Sequence, residues 1–199
     1  MLFLKALAGA LLACVSISSA GSAATDEWLM RQYVIDEIRI WSASPVVLLT
    51  LKASNERYAD LDQAGIDALD KQWRAEREAE DQPLITAVLS SPLSSYLTKI
   101  QARSIGLYTE IFVMDSKGLN AGQSAITSDF WQGDEDKWQK TFQVGPDAIF
   151  IDEIEINEKT GTENAQVNLS IAQDGKVVGA ITVEINVTEL RRRHAAGKV

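Results

Sequence analysis

A chain of 199 residues with 28 acids, 19 lysines and arginines and one histidine carries a formal net charge of −9. That balance argues against nucleic-acid binding, which needs a basic stripe to neutralise phosphates, and the plentiful aromatic and β-branched residues argue against disorder. The single cysteine, Cys14, and the single histidine, His194, give no basis for disulfides, Ser-His-Asp catalysis or Cys/His zinc sites. Chemistry that uses carboxylates alone stays open.

Met1-Leu-Phe-Leu-Lys5 supplies one positive charge, Ala6 to about Ile17 is apolar, and small residues fill Ser18–Ala24 ahead of the first acid, Asp26. This is the layout of a cleaved secretory signal peptide over residues 1–24, with Ser22-Ala23-Ala24 and Ser18-Ser19-Ala20 as cleavage options. Leu11-Leu12-Ala13-Cys14 resembles a lipobox, so a lipoprotein anchored at Cys14 is one alternative, against which the apolar run continues past Cys14; an uncleaved anchor is the other, against which Gly, Ser and Ala crowd its second half. The expected product is a soluble periplasmic protein with one domain over 25–190 and a basic tail over 191–199.

From Asp26, apolar residues recur at helical spacing through Trp41, and after Pro45 the apolar text resumes from Val46 to Leu61. One long, kinked helix over about Asp26–Ala59 is expected, with Trp28, Trp41, Val46 and Val47 in its core stripe. A second helix, Leu61–Glu80, presents Ile66, Leu69 and Trp73, while its charged end is a solvated face. Two short helices follow, Leu84–Leu89 and Leu93–Ile100, with Pro92 just inside the start of the second.

The period then changes from near 3.6 to 2. Tyr108–Asp115 reads as a buried strand that turns at Lys117-Gly118 into a short strand toward Ser124. Ile149–Ile156, Asn164–Ala172 and a last strand carrying Ile181, Val183, Ile185 and Val187 complete the chain, the final two joined at Gln173-Asp174-Gly175-Lys176. Helices first and five hairpin-linked strands after make an α+β domain with an antiparallel sheet. One sheet face should carry the long helix, and the Ser124–Gln143 connection should cover the other. Asn168-Leu-Ser and Asn186-Val-Thr are glycosylation sequons, but both fall in strands and read as sheet residues.

Ser128–Trp138 is different text: three aromatics and four acids in eleven residues around Gly133. Such a segment suits a lid that lays aromatic walls and polar groups over a pocket, with a short helix over Asp134–Phe142. The competing reading is a capping turn whose rings plug the core. In Ile149–Ile156 the alternation slips between odd-numbered and even-numbered isoleucines. Either a bulge lies near Asp152, or Asp152 points inward with Phe150 and needs a partner. Candidate ligand contacts are therefore Asp129, Trp131, Gln132, Asp134 and Lys137 on the lid, with Tyr108 and Asp152 on the strands.

Four stretches carry a family likeness: Trp41-Ser-Ala-Ser-Pro-Val-Val47, Tyr108 through Asn120, Thr127 through Trp138, and Gly175 through Val187. In these the chain resembles the Cache (PDC-type) extracytoplasmic sensor domains in their single-module form, over nearly all of the chain after residue 24. The resemblance implies a long N-terminal helix packed on a PAS-like sheet, and a small ligand held between that sheet and its covering loops. It implies a domain set between membrane helices of a chemoreceptor or histidine kinase, whereas here only nine basic-rich residues follow Leu190. The chain also lacks the aromatic-Arg amino-acid-binding motif of two-module members, so that specificity does not carry over.

The expected function is a periplasmic, non-enzymatic small-molecule-binding module, without a cofactor, that presents its ligand state to a membrane receptor or kinase. One alternative is a structural or assembly protein that dimerises through the long N-terminal helix. Another is a hydrolase using Asp129, Asp134 and Glu135. The acidic block matches no EF-hand spacing, so calcium is not expected there.

Overall fold

The computed structural model describes residues 19–199; the expected signal segment, Cys14 included, lies for the most part outside the described residues. The N-terminal helical text forms three consecutive helices: α1 (Ser19–Tyr33), α2 (Ile35–Ser42) and α3 (Pro45–Arg57). At Val34 the i→i−4 bonding continues on both sides, through Val34 N to Met30 O and Ile38 N to Val34 O, so this junction is a bend. The break after Ser42 is real. Pro45 occupies the first position of α3 and holds Ser44 extended, at φ −63 and ψ 139, which no helix can run through.

α4 (Gln63–Glu76) starts where Asp62 accepts a hydrogen bond from Gly65 N at 2.9 Å. α5 (Pro83–Leu89) and α6 (Pro92–Arg103) both open on proline, whose missing N–H has no partner to lose there. β1 (Tyr108–Met114) and β2 (Asn120–Gln123) form a hairpin, and α7 (Asp136–Gln139) is one turn of helix, shorter than the expected Asp134–Phe142. β3 (Ile149–Ile151) and β4 (Glu155–Ile156) precede the two long strands, β5 (Glu163–Gln173) and β6 (Lys176–Asn186). Asp174 and Gly175 between them have φ of 50 and 76, a two-residue turn whose twist matches that of the strands. α8 (Val187–Ala195) ends the chain, capped by Asn186 Oδ1 at 2.9 Å from Glu189 N.

The sheet order is β2-β1-β6-β5-β3, all antiparallel, with β4 also on β5. The expected fivefold count becomes six because the strand over Ile149–Ile156 is interrupted. Ile151 faces Val167, Asp152 N donates to Gln166 O, and Glu155 then faces Asn164. Three steps on one strand against two on the other leave one extra residue, a bulge. It is this bulge that returns Ile154 to the same core as Ile149 and Ile151.

One sheet face carries Ile111, Val113, Val167, Leu169, Val183 and Ile185 against Val34, Ile38, Val47, Leu51, Leu93 and Leu97 of the helices. Across the other face, Trp138 and Phe142 from the Ser124–Gln143 connection stack at 4.8 Å and cover Phe112, Met114 and Ala180. A third cluster, Trp73 and Ile66 of α4 with Phe130 and Leu119, lies beside the sheet.

One expectation for the core is corrected. Trp28 is 51% exposed rather than core, its ring edge-on to Tyr33 and His194, because α1 turns that side to solvent. The basic stretch after Leu190 is in part helical, since Arg191–Ala195 belongs to α8. Arg191 there grips Asp26, which is 2% exposed, with Nη2 at 2.6 Å from Oδ2 and Nε at 2.7 Å from Oδ1, and it also pairs with Glu163. This fork ties the two ends of the described chain together. No helix among the described residues is long and apolar enough to cross a membrane.

Candidate functional site

Side chains on the sheet face away from the helices fall into rows set by strand register. The first row runs Glu110, Glu184, Gln166, Asp152; the second runs Phe112, Thr182, Asn168, Phe150. Two carboxylates thus stand directly opposite each other on neighbouring strands, an arrangement that is destabilising unless something between them offsets the repulsion. Burial, and then the charge of Glu184, push the Glu110 carboxyl up to about 7, while the nearby Lys137 ammonium acts the other way. Thr109 Oγ1 donates to a Glu184 carboxylate oxygen. In the second row the Asn168 amide donates to Phe150 O at 3.1 Å and its oxygen accepts from Thr182 Oγ1 at 2.7 Å. Asn168 is fully buried, which agrees with a sheet residue rather than a glycan acceptor.

The acidic-aromatic segment is pinned beside and over this face. Gln132 N donates to Gly118 O at 2.8 Å, and Leu119 bridges Trp131. Gly118 has φ +81, and a Cβ there would lie 2.6 Å from the Gly133 backbone, so the hairpin turn approaches the segment this closely only because residue 118 is glycine, while a Cβ on Gly133 would meet the Trp131 indole. The segment is also tied to α4. Asp70 Oδ1 accepts from Phe130 N at 2.8 Å and Trp131 N at 3.1 Å, and Arg74 pairs with Asp129 at 3.2 Å. From there α7 crosses the sheet with Lys137 Nζ 5.6 Å from the Phe112 ring centroid and Lys140 Nζ 4.3 Å from that of Phe150.

Between α7 and the sheet lies a cleft of ≈ 240 Å³, lined by Glu135, Lys137, Asp152, Glu153, Glu155, Asn164, Ala165, Gln166 and Glu184. It has room for roughly eight waters or one small metabolite. Asn164 on its wall is 5% exposed, and its Nδ2 has no hydrogen-bond partner.

Of the residues expected from sequence, Lys137 and Asp152 line this cleft. The bulge follows Asp152 rather than excluding it, so Asp152 keeps its place in the row while its Oδ1 accepts from Glu153 N at 2.9 Å. Gln132 is buried and stands behind Lys137, with its Oε1 3.2 Å from Nζ and its amide bonded to Asp129. Asp129 faces Arg74 and Gln132 rather than the cleft. Trp131 packs beside Phe130 in the α4 cluster with its indole N–H donating to Lys117 O at 2.8 Å, and Asp134 is exposed.

Tyr108 is on the opposite side of the sheet. A register shift between Tyr108 and Glu110 turns its ring into the helix-side core, where its hydroxyl donates to Glu37 at 2.6 Å and its ring meets Trp41 edge-on at 5.0 Å. Burial first, and then Glu37, raise its phenol pKa. It lines a separate cavity of ≈ 430 Å³ with Tyr33, Trp41 and Tyr96. Sequence reasoning missed Glu110, Glu184, Asn164 and Gln166. Their signal was present as polar residues alternating with apolar ones, but the same pattern describes a strand with one wet face.

No family model matches the chain, and no curated protein sequence matches it. Solved structures with a similar course include the ligand-binding domain of the Pseudomonas aeruginosa PAO1 amino acid chemoreceptor PctC in complex with GABA. It is 13% identical, with 73% of this chain and 60% of that one covered at a TM-score of 0.38. The ligand-binding domain of the Campylobacter jejuni chemoreceptor Tlp3 in complex with L-valine is 14% identical, covering 84% and 65% at 0.39. The extracellular domain of vpHK1S-Z8, described as a histidine kinase, is 12% identical, covering 86% and 55% at 0.46. The chain spans less than two thirds of the length of each of these structures.

Proposed function

We propose that this chain is a non-enzymatic, extracytoplasmic small-molecule-binding module of the Cache sensor type, whose ligand occupies the cleft between the sheet and α7. Its ligand state is then read by a partner, a membrane receptor or kinase. The observation that carries the reading is the buried Asn164 amide, which presents an unpartnered donor to a roofed cleft. A buried donor left without an acceptor costs about 1–3 kcal/mol, a cost removed when water or a ligand fills the site.

The acids named for a hydrolase support this non-catalytic reading. Asp129 is engaged by Arg74 and Glu135 by Lys137 at 2.6 Å, while Asp134 is exposed, so two of the three are held by cations and the third stands in solvent. Thermal-shift screening of the purified protein against small acids, amines and divalent ions tests the proposal. A saturable rise in Tm with one chemical class is the expected result, and a flat response to all of them counts against it.

Self-association through the N-terminal helices is the second reading, favoured by Ile40 at 72% exposure on α2 and Leu49 at 67% on α3. Sedimentation velocity distinguishes it: a dimer that Ile40→Glu with Leu49→Glu converts to monomer supports assembly. The export reading makes a separate expectation. The protein recovered from the periplasm begins near Thr25, and a mass that includes Met1 or a lipid on Cys14 excludes it.

A further inference from the structure

We propose that the sheet-face cleft takes a small organic ammonium ion bearing an oxygen acceptor, and that Lys137 is its resident competitor, displaced when the ligand enters. This rests on the reading of the chain as a small-molecule binder at that cleft.

The charge of the cleft is lopsided. Five of its lining residues are acids (Glu135, Asp152, Glu153, Glu155 and Glu184), Lys137 is the one base, and Glu110 stands beside Glu184 in the same row. An anionic ligand would enter against that field, and the lone ammonium is already engaged by Glu135. An ammonium ligand would offset the Glu110–Glu184 repulsion at close range and in a partly dry site, where a charge counts for more than in water. Among the described residues, no group of three or more His, Cys, Asp or Glu side chains is placed to hold a metal ion, which favours an organic cation with its own apolar body. The unpartnered Asn164 Nδ2 adds the second requirement, a hydroxyl or carbonyl oxygen on the ligand.

Lys137 already shows how an ammonium sits there. Its side chain is 13% exposed, with Nζ over the Phe112 ring, 2.6 Å from Glu135 and 3.2 Å from Gln132. Both hydrogen-bonding partners belong to its own covering segment. Among the described residues no sheet side chain hydrogen-bonds Nζ, so the sheet supplies a ring face and the field of its carboxylates. An ammonium delivered by a free ligand competes for those same features and can reach Glu184 and Asp152 directly. Displacing Lys137 also parts it from Gln132, and through Asp129 that residue connects to Arg74 of α4. Occupancy of the cleft is thereby connected to α4 beside the sheet by contiguous polar contacts.

Isothermal titration calorimetry with ethanolamine and putrescine as cationic probes and succinate as the anionic one provides the test. The protein, its Lys137→Met and Lys137→Gln variants and Glu184→Gln are compared, each first checked for unchanged circular dichroism. Ethanolamine is expected to bind, to bind about five- to tenfold more tightly once Lys137 no longer competes, and to lose binding in Glu184→Gln. Succinate binding that either Lys137 variant abolishes overturns the ammonium assignment while leaving the sensor reading standing. Amine binding weakened by both Lys137 variants overturns the competitor role. If no probe of either charge binds and the broad ligand screen is also flat, the proposal and the reading it rests on fall together.

Discussion

Trp73→Ala is expected to lower the stability of the protein by about 3–5 kcal/mol, the usual range for deleting a buried large aromatic. Trp73 is fully buried, stacks on Phe130 with centroids 5.3 Å apart, and donates its indole N–H to Thr127 O at 3.0 Å. Removing it opens a cavity and orphans a carbonyl on the segment that leads into Asp129. Urea unfolding followed by circular dichroism and by tryptophan fluorescence measures the effect, and for a chain of this length each kcal/mol corresponds to roughly 2–4 °C in Tm. A loss below about 1 kcal/mol, with the two probes melting apart, would mean that the α4 cluster unfolds independently of the sheet. Because this cluster is separate from the main core, the experiment also asks whether the mooring of the acidic-aromatic segment is thermodynamically part of the domain.

Glu110→Gln is expected to do the opposite at alkaline pH: it raises stability. The folded state holds the Glu110 carboxyl proton up to about pH 7, through burial and the facing Glu184, against an ordinary value of 4.5. Lys137 on α7 opposes that shift, and Asp129 adds to it weakly. Between those two pH values the native protein binds more protons than the unfolded chain, so stability declines as pH rises across that window. The full shift corresponds to about 3 kcal/mol at pH 8, reduced by solvent screening to roughly 1–3 kcal/mol for a half-buried side chain. Glutamine keeps the shape without the charge. Its advantage should therefore be largest at pH 8 and vanish near pH 4.5. Equal Tm differences at both pH values would show that Glu110 is no drier than a surface acid.

Local rules account for the elements that were legible in the sequence. Pro83 and Pro92 mark helix boundaries because a residue without an N–H fits the one place where that group has no helical partner; Pro45 opens a helix for the same reason, although only a kink was expected there. Asp174-Gly175 marks its hairpin because only such residues enter the left-handed region readily. The acidic-aromatic text was recognisable as unusual, and Lys137 and Asp152 were identified as ligand candidates from their chemistry and from a break in alternation.

What tertiary structure decided is of another kind. Glu110 and Glu184 are 74 positions apart, and their confrontation depends on the register of β1 against β6, which no window of neighbouring residues encodes. A shift of one residue beside Tyr108 sent that ring to the helix side, whereas the bulge after Asp152 kept its carboxylate in the cleft and returned Ile154 to the core. Trp28 and Trp73 are the same residue type on similarly patterned helices, yet one is half exposed and the other fully buried. Sequence by itself determined most of the helices, strands and turns, though not the break before Pro45, the interruption after Ile151 or α8, because those elements follow from hydrogen bonds and sterics within a few residues. Which strand face is dry, and which charges must share it, was decided only by packing, because burial and charge proximity are properties of residues brought together from distant parts of the chain.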